Sequence, residues 1–158
     1  MTNKKNLAGG VLSVALAEII GFLPMLFGGD IKALYNALPH PPFSPPEWVF
    51  PMMWAVLYAF IGAAAYMIFT GRPSGLRRTA LVLYGLQLIV NILWSVAFFK
   101  CSAILMSVIM INLLVILTAI TAVLFYKLRP LAGKLMIVYI IWLIYAAYLN
   151  IGMYAMYS

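Results

Sequence analysis

Charge is what this sequence has least of. Of its 158 residues, 66% are hydrophobic and only 8% are charged, against about 25% charged in a soluble domain. So few charges cannot cover a globular surface of this size, which excludes water as the main solvent of the chain and leaves lipid. There is one cysteine, Cys101, so no internal disulfide can form. With one histidine, His40, and three acidic residues, no cluster of Cys, His and carboxylates has metal-ligand spacing. No nucleophile, base and orienting group come together either. The net charge of +7 is not a nucleic-acid footprint, because the lysines and arginines sit at the ends of apolar runs rather than on one polar face.

What the chain does have is long apolar runs. They occupy roughly 7–28, 47–70, 78–99, 102–126 and 132–156, each long enough to cross a bilayer as a helix that satisfies its own backbone. The expectation is one domain over 1–158, an all-α integral membrane protein built as a five-transmembrane-helix bundle. Lys4-Lys5 before the first run imitates a signal peptide. The run from Leu7 to Phe27 has the ~20 residues of a span, not the ~7–15 of a signal segment, and no clear A-x-A site follows. Connections are short except the first, the loop 29–46. Basic residues are divided unevenly. Lys4, Lys5, Arg72, Arg77, Arg78, Lys127, Arg129 and Lys134 fall on the N-terminal side, and Lys32 and Lys100 on the other. The positive-inside rule then gives a cytoplasmic N-terminus and an external first loop, in a plasma membrane.

Several polar and aromatic residues within the runs share helix faces. Gln87, Asn91, Trp94 and Phe98 recur at i, i+4, i+7 and i+11. Two amides on one face should look into the bundle, since an unpaired polar group in lipid costs kilocalories. Interhelical hydrogen bonding and cavity lining both satisfy that requirement. Tyr139, Trp142, Ala146 and Asn150 form a second such face, and Trp54, Tyr58 and Ala65 a third. Trp48, at a helix start, suits an interfacial belt; Trp54, Trp94 and Trp142 lie about two turns or more inside their segments. Glu18 is the only acid within a run, so it should face the interior, be protonated or be paired. Gly9, Ser13, Ala17 and Gly21 form a small-residue ridge that permits close helix packing, within one subunit in preference to between two.

The loop and the start of the second run read P-P-F-S-P-P-E-W-V-F-P-M-M-W-A-V-L-Y from Pro41 to Tyr58. Four prolines in six residues, Pro41, Pro42, Pro45 and Pro46, impose a stiff extended loop. The string resembles the signature of the TspO/MBR family, the translocator-protein or tryptophan-rich sensory family: roughly K-P-x-W/F-x-P-P-x-W-V-F-x-x-x-W-x-x-L-Y. His40-Pro41 stands in the K-P place, Phe43 is the aromatic, and Trp48, Phe50, Trp54 and Tyr58 fall in register. The run Gln87 to Phe99 is similar to the family's third-helix pattern. Tyr139, Trp142, Ala146, Leu149 and Asn150 match its fifth, with a departure at Val138, where the family commonly has proline; the helix should be straighter there.

The resemblance implies a five-helix bundle, usually a homodimer, with a tetrapyrrole pocket roofed by the first loop. It implies ligand contact from Phe43, Trp48, Trp54, Tyr58, Gln87, Asn91, Trp94, Phe98, Tyr139, Trp142, Ala146, Leu149 and Asn150. No cofactor is required, and a porphyrin or haem-type tetrapyrrole would be the ligand. Partners are membrane lipid, such a ligand or another hydrophobic small molecule, and a second copy, with no nucleic acid. Three functions stay open: a sensor or regulator of porphyrin handling or stress, a transporter of porphyrin or lipid, and a light-dependent porphyrin-degrading enzyme using Trp54 and Trp142. His40 replaces a lysine of the pattern, so axial haem ligation is not implied. The sterol string discussed for the family is incomplete, since no basic residue follows Leu149 and Tyr154.

Overall fold

The computed structural model describes residues 2–27 and 31–158, with the side chains of 2–5, 27 and 31 left aside. The elements are α1 (Thr2–Phe27), α2 (Ile31–Ala37), α3 (Val49–Phe69), α4 (Gly75–Ser95), α5 (Ile104–Leu128) and α6 (Pro130–Tyr157). A π-helical turn, Val96–Lys100, extends α4. Among the described residues there is no strand, and five helices are long and apolar enough to cross a membrane. The five expected runs correspond to α1, α3, α4 with its π turn, α5 and α6. The loop 29–46 differs from expectation, because α2 lies inside it. Residues 28–30, at the end of the first expected run and the start of this loop, are outside the described residues.

The helices form a ring in which α1 packs on α3, α3 on α6, α6 on α5 and α5 on α4, with lighter contact closing α4 to α1. Leu, Ile and Val dominate the outer face, as at Leu12, Ile89, Ile116 and Ile141. Inside are Leu57, Ile61, Ile111, Leu114, Phe125, Met136, Tyr139 and Leu143, all inaccessible. A lipid-facing surface of this kind gives no hydrophobic drive to association, so the helices are held by close packing and polar contacts.

The α1–α3 contact shows both. The ridge of Gly9, Ser13, Ala17 and Gly21 faces α3, where a Cβ on Gly62 would press on the Val14 backbone. The Ser13 hydroxyl donates to the Gly62 carbonyl at 2.8 Å. A Cβ on Gly21 would collide with the Tyr58 ring. The ridge therefore packs within the subunit.

The ends are closed locally. Ser74 caps α4 by accepting from the Arg77 amide at 3.1 Å, a favourable N-cap. The Arg77 guanidinium donates to the carbonyls of Phe69 and Gly71 at 2.9 and 2.7 Å, placing a cation on the C-terminal carbonyls of α3. Pro130 opens α6 at a position where its missing N–H costs nothing. Without a proline at Val138, α6 runs uninterrupted for 28 residues. After the π turn, Ser102 takes a left-handed conformation (φ 49°), and the Ala103 amide reaches back to the Ala97 carbonyl at 2.9 Å.

At the loop end, Tyr35 of α2 and Leu38 just after it are buried against Phe98, Ile104 and Met153. The proline-rich segment is docked by three tyrosines. Tyr35 donates to the Pro45 carbonyl at 2.7 Å, Tyr145 to Phe43 at 2.7 Å and Tyr148 to Pro42 at 2.8 Å. Prolines have no N–H with which to pair the segment's carbonyls locally, so phenol groups from α2 and α6 supply the donors. Pro41 also sits against Gly152, where a Cβ would crowd its ring.

Candidate aromatic cavity

A cavity of about 300 Å³ opens beneath α2. Its lining is overwhelmingly apolar and comes from five elements. Gly21, Phe22, Pro24 and Met25 of α1 make one side, and Lys32 and Tyr35 of α2 lie over it. Trp48, Phe50, Trp54 and Tyr58 come from the α3 region, Trp94, Phe98 and Phe99 from α4 and its π turn, and Trp142, Ala146, Leu149, Asn150 and Met153 from α6. No residue of α5 lines it.

Trp54 is the hub. Its ring centroid is 5.6 Å from that of Trp94, 5.8 Å from Tyr58 and 6.4 Å from Trp142. The Trp54 and Trp142 rings meet at 88°, the edge-to-face arrangement that the ring quadrupoles favour. Trp94 stacks on Phe98 at 6.2 Å and 21°, and Phe50 meets Trp142 edge-on at 6.1 Å. The tryptophans thus form one continuous aromatic surface. They do not form facing walls, because a third ring has no room between rings already in contact.

Of the residues expected at the site, Trp48, Trp54, Tyr58, Trp94, Phe98, Trp142, Ala146, Leu149 and Asn150 line the cavity. Trp48 is also 60% exposed, at the start of α3, so it combines a boundary position with the cavity mouth. Four expected residues do not line it. Phe43 is 90% exposed with φ 62°, and it is its carbonyl, not its ring, that is held by Tyr145. Gln87, Asn91 and Tyr139 lie away from the cavity in a buried chain with Tyr58. The Tyr58 hydroxyl donates to Asn91 Oδ1 at 2.8 Å, Asn91 Nδ2 donates to the Tyr139 hydroxyl at 2.6 Å, and that hydroxyl donates to Gln87 Oε1 at 3.2 Å. These amides join α3, α4 and α6. Tyr58 is the member at which the chain meets the cavity.

Asn150 bridges lining and framework. Its Oδ1 accepts from Trp94 Nε1 at 3.2 Å and lies 3.0 Å from the Ser107 hydroxyl, while its Nδ2 donates to the Ala146 carbonyl at 2.9 Å. This fixes the Trp94 indole, one of the rings of the aromatic surface. The Trp142 indole nitrogen, by contrast, is buried with no hydrogen-bond partner.

The mouth carries the polar groups. Lys32 Nζ lies 3.5 Å from Glu47 Oε1, and Asn36 Nδ2 donates to Glu47 Oε2 at 3.0 Å. Both ionic partners line the cavity. Sequence reading had no signal for either, because an ordinary loop charge looks the same. His40 is exposed, with its ring 4.3 Å from that of Tyr35, and does not line the cavity. Glu18 is half-buried on α1 next to the ridge; the one ion pair among the described residues is Lys32–Glu47. Burial pushes the Tyr35 hydroxyl above its ordinary value, which keeps it a donor to the loop.

A family model for the TspO/MBR family matches residues 13–156. The chain is 31% identical over 141 residues to the tryptophan-rich protein TspO of Chlorobaculum tepidum, covering 88% of this chain and 89% of that protein. It is 34% identical over 116 residues to a tryptophan-rich sensory protein of Cereibacter sphaeroides, covering 73% and 72%. To the translocator protein of Homo sapiens it is 33% identical over 127 residues, covering 77% and 73%. A match that runs from the ridge of α1 to the end of α6 spans every wall of the aromatic cavity, and with it the chain belongs to the TspO/MBR family.

Proposed function

We propose that this protein binds a protoporphyrin-type tetrapyrrole in the aromatic cavity and acts as a membrane sensor or regulator of porphyrin handling or stress. The observation that carries the reading is the contact surface of Trp54, Trp94 and Trp142 along an apolar cavity. A planar macrocycle gains area burial and about 0.5–1.5 kcal/mol per aromatic pair on such a surface. Its carboxylates need a polar exit, which the mouth supplies at Lys32 and Asn36. At about 300 Å³ the cavity is at the small end of drug-sized pockets, roughly 300–1,000 Å³. Full entry of a macrocycle therefore involves outward movement of α2 or α1. The printed names of relatives, a sensory protein and translocator proteins, support a regulatory role in a membrane. In a plasma membrane, the distribution of basic residues supports an N-terminus in the cytoplasm.

Titration with protoporphyrin IX in detergent or nanodiscs tests the reading. A macrocycle on the surface sits within energy-transfer range of Trp54, Trp94 and Trp142, so emission should fall to a saturable limit. Absent or non-saturable quenching would rule it out. Ring contact between Trp54 and Trp142 favours a second reading, light-dependent porphyrin degradation, since neighbouring indoles can share an oxidising equivalent. Product analysis under illumination separates the two: new tetrapyrrole products that vanish in Trp142→Phe would indicate the enzyme, and intact porphyrin the sensor.

A further inference from the structure

Among the described residues, two formal charges line the cavity, and they belong to one ion pair. Lys32 lies on α2, and Glu47 stands two residues before α3. The rest of the lining is apolar, aromatic or neutral. Lys32 Nζ is 3.5 Å from Glu47 Oε1, and Asn36, one turn on from Lys32, donates to Glu47 Oε2 at 3.0 Å. One face of α2 thus holds both oxygens of a single carboxylate. The Lys32 side chain is 74% exposed and that of Glu47 32%. Solvent screens a pair in such a position, and pairs of this kind add little to stability.

Weak as a fastener, the pair still discriminates by charge. A lysine ammonium is a compact charge on a flexible stem, so Lys32 can turn from Glu47 to a second carboxylate by rotating that stem. An ionised Glu47 can only accept hydrogen bonds, and Asn36 Nδ2 remains to it as a donor. Two anions at the mouth therefore compete for one cation, and the charge of Glu47 repels the newcomer. A neutral ligand meets neither effect: it offers Lys32 no charge and gives Glu47 nothing to repel.

We infer that Glu47 is an internal competitor for the anionic end of the ligand: it holds Lys32 until a ligand carboxylate takes its place there, while Glu47 stays on Asn36. Lys32 and Glu47 then set the charge class that the cavity accepts, an aromatic acid ahead of its neutral ester. They set it with opposite signs, an attractive and a repulsive element in one contact. The inference rests on the proposed binding of a tetrapyrrole in this cavity, and adds which end of it lies at the mouth and what selects it. A pair that served only to tie α2 to the start of α3 would behave differently. Removing either half of a tether has one consequence, whereas removing the two halves of a competitor pair has opposite ones.

Fluorescence titration with protoporphyrin IX and with its neutral dimethyl ester, in nanodiscs of uncharged lipid at neutral pH, tests this. Each variant is compared with the wild type for the same probe, so the unequal partition of the two probes into lipid cancels. Lys32→Gln should weaken protoporphyrin binding roughly three- to fivefold, the upper end for an exposed ion pair. Glu47→Gln should tighten it by a similar factor, and both should leave the ester unchanged. In a Lys32→Gln background the gain from Glu47→Gln should be largely lost, since no cation remains to compete for. Helicity on the same samples confirms the fold of each variant. Protoporphyrin binding that both substitutions weaken, that neither changes, or that shifts in step with the ester would overturn the inference and leave the cavity's role standing. If neither probe saturates in the wild type, the proposed binding falls and this inference with it.

Discussion

Trp142 is the residue from which the cavity's chemistry is best approached. Its indole N–H is buried and unpaired on a side chain that lines the cavity, and an unmade buried hydrogen bond costs about 1–3 kcal/mol. An acceptor on a ligand would recover that cost. Trp54 offers ring area without this added term. Trp54→Phe should therefore weaken protoporphyrin binding by up to roughly tenfold, about one aromatic contact, and Trp142→Phe by more. Fluorescence titration of the two variants checks the order. Gly21 sets a different constraint, because a methyl group there meets the Tyr58 ring whose hydroxyl begins the buried amide chain. Gly21→Ala should cost about 1–3 kcal/mol through overpacking, read as a lowered melting temperature. That the tryptophans would sit inside the bundle could be read from their depth in the apolar runs. That they would touch one another, and that Gln87 and Asn91 would turn to Tyr139 and Tyr58, could not, because helical spacing fixes a face but not what stands opposite it.

At the scale of elements, the first connection is more built than a loop. The five spans are legible because each exceeds the thickness of a bilayer in apolar residues. The segment I-K-A-L-Y-N-A of α2 carries no comparable signal. It is held by burial of Tyr35 and Leu38 against three other elements, a tertiary cause that no local window contains. The π turn is hidden for the same reason: it is a backbone adjustment at the end of α4. Docking of the proline segment by Tyr35, Tyr145 and Tyr148 predicts that Tyr145→Phe with Tyr148→Phe would release it, at about 1 kcal/mol per hydrogen bond. Proteolysis or hydrogen exchange of residues 38–46 should rise while the spans stay protected. Replacing Pro41, Pro42, Pro45 and Pro46 by Ala should weaken ligand binding without unfolding, because a stiff segment loses less entropy on closing over a ligand. Unchanged affinity in that variant would mean that the segment is no lid. Since burial raises the Tyr35 hydroxyl's value, its loop contact should persist at neutral pH. It weakens only as pH climbs above the ordinary value of 10.0 towards the raised one.

The bundle is inverted, with a polar chain inside and an aliphatic surface outside, and all its basic residues except Lys32 and Lys100 belong to the N-terminal side. From that asymmetry the connection at Ser74 should lie in the cytoplasm and Ser158 outside. In a Cys101→Ser background an impermeant thiol reagent on intact cells should label Ser158→Cys and spare Ser74→Cys; the reverse pattern would overturn the topology. On that topology the aromatic cavity and its Lys32–Glu47 mouth would lie at the outer end, and a ligand would approach from the external leaflet. The proposed function depends on the space between α1 and the tryptophan surface being the place where a tetrapyrrole binds. Ala55 lines that space and is half-buried, so Ala55→Phe fills it while leaving the rings and the amide chain intact. Protoporphyrin IX should quench the wild type with one-to-one saturation and bind Ala55→Phe at least tenfold more weakly, with helicity and melting temperature preserved. Equal affinity in the two folded proteins would contradict the account.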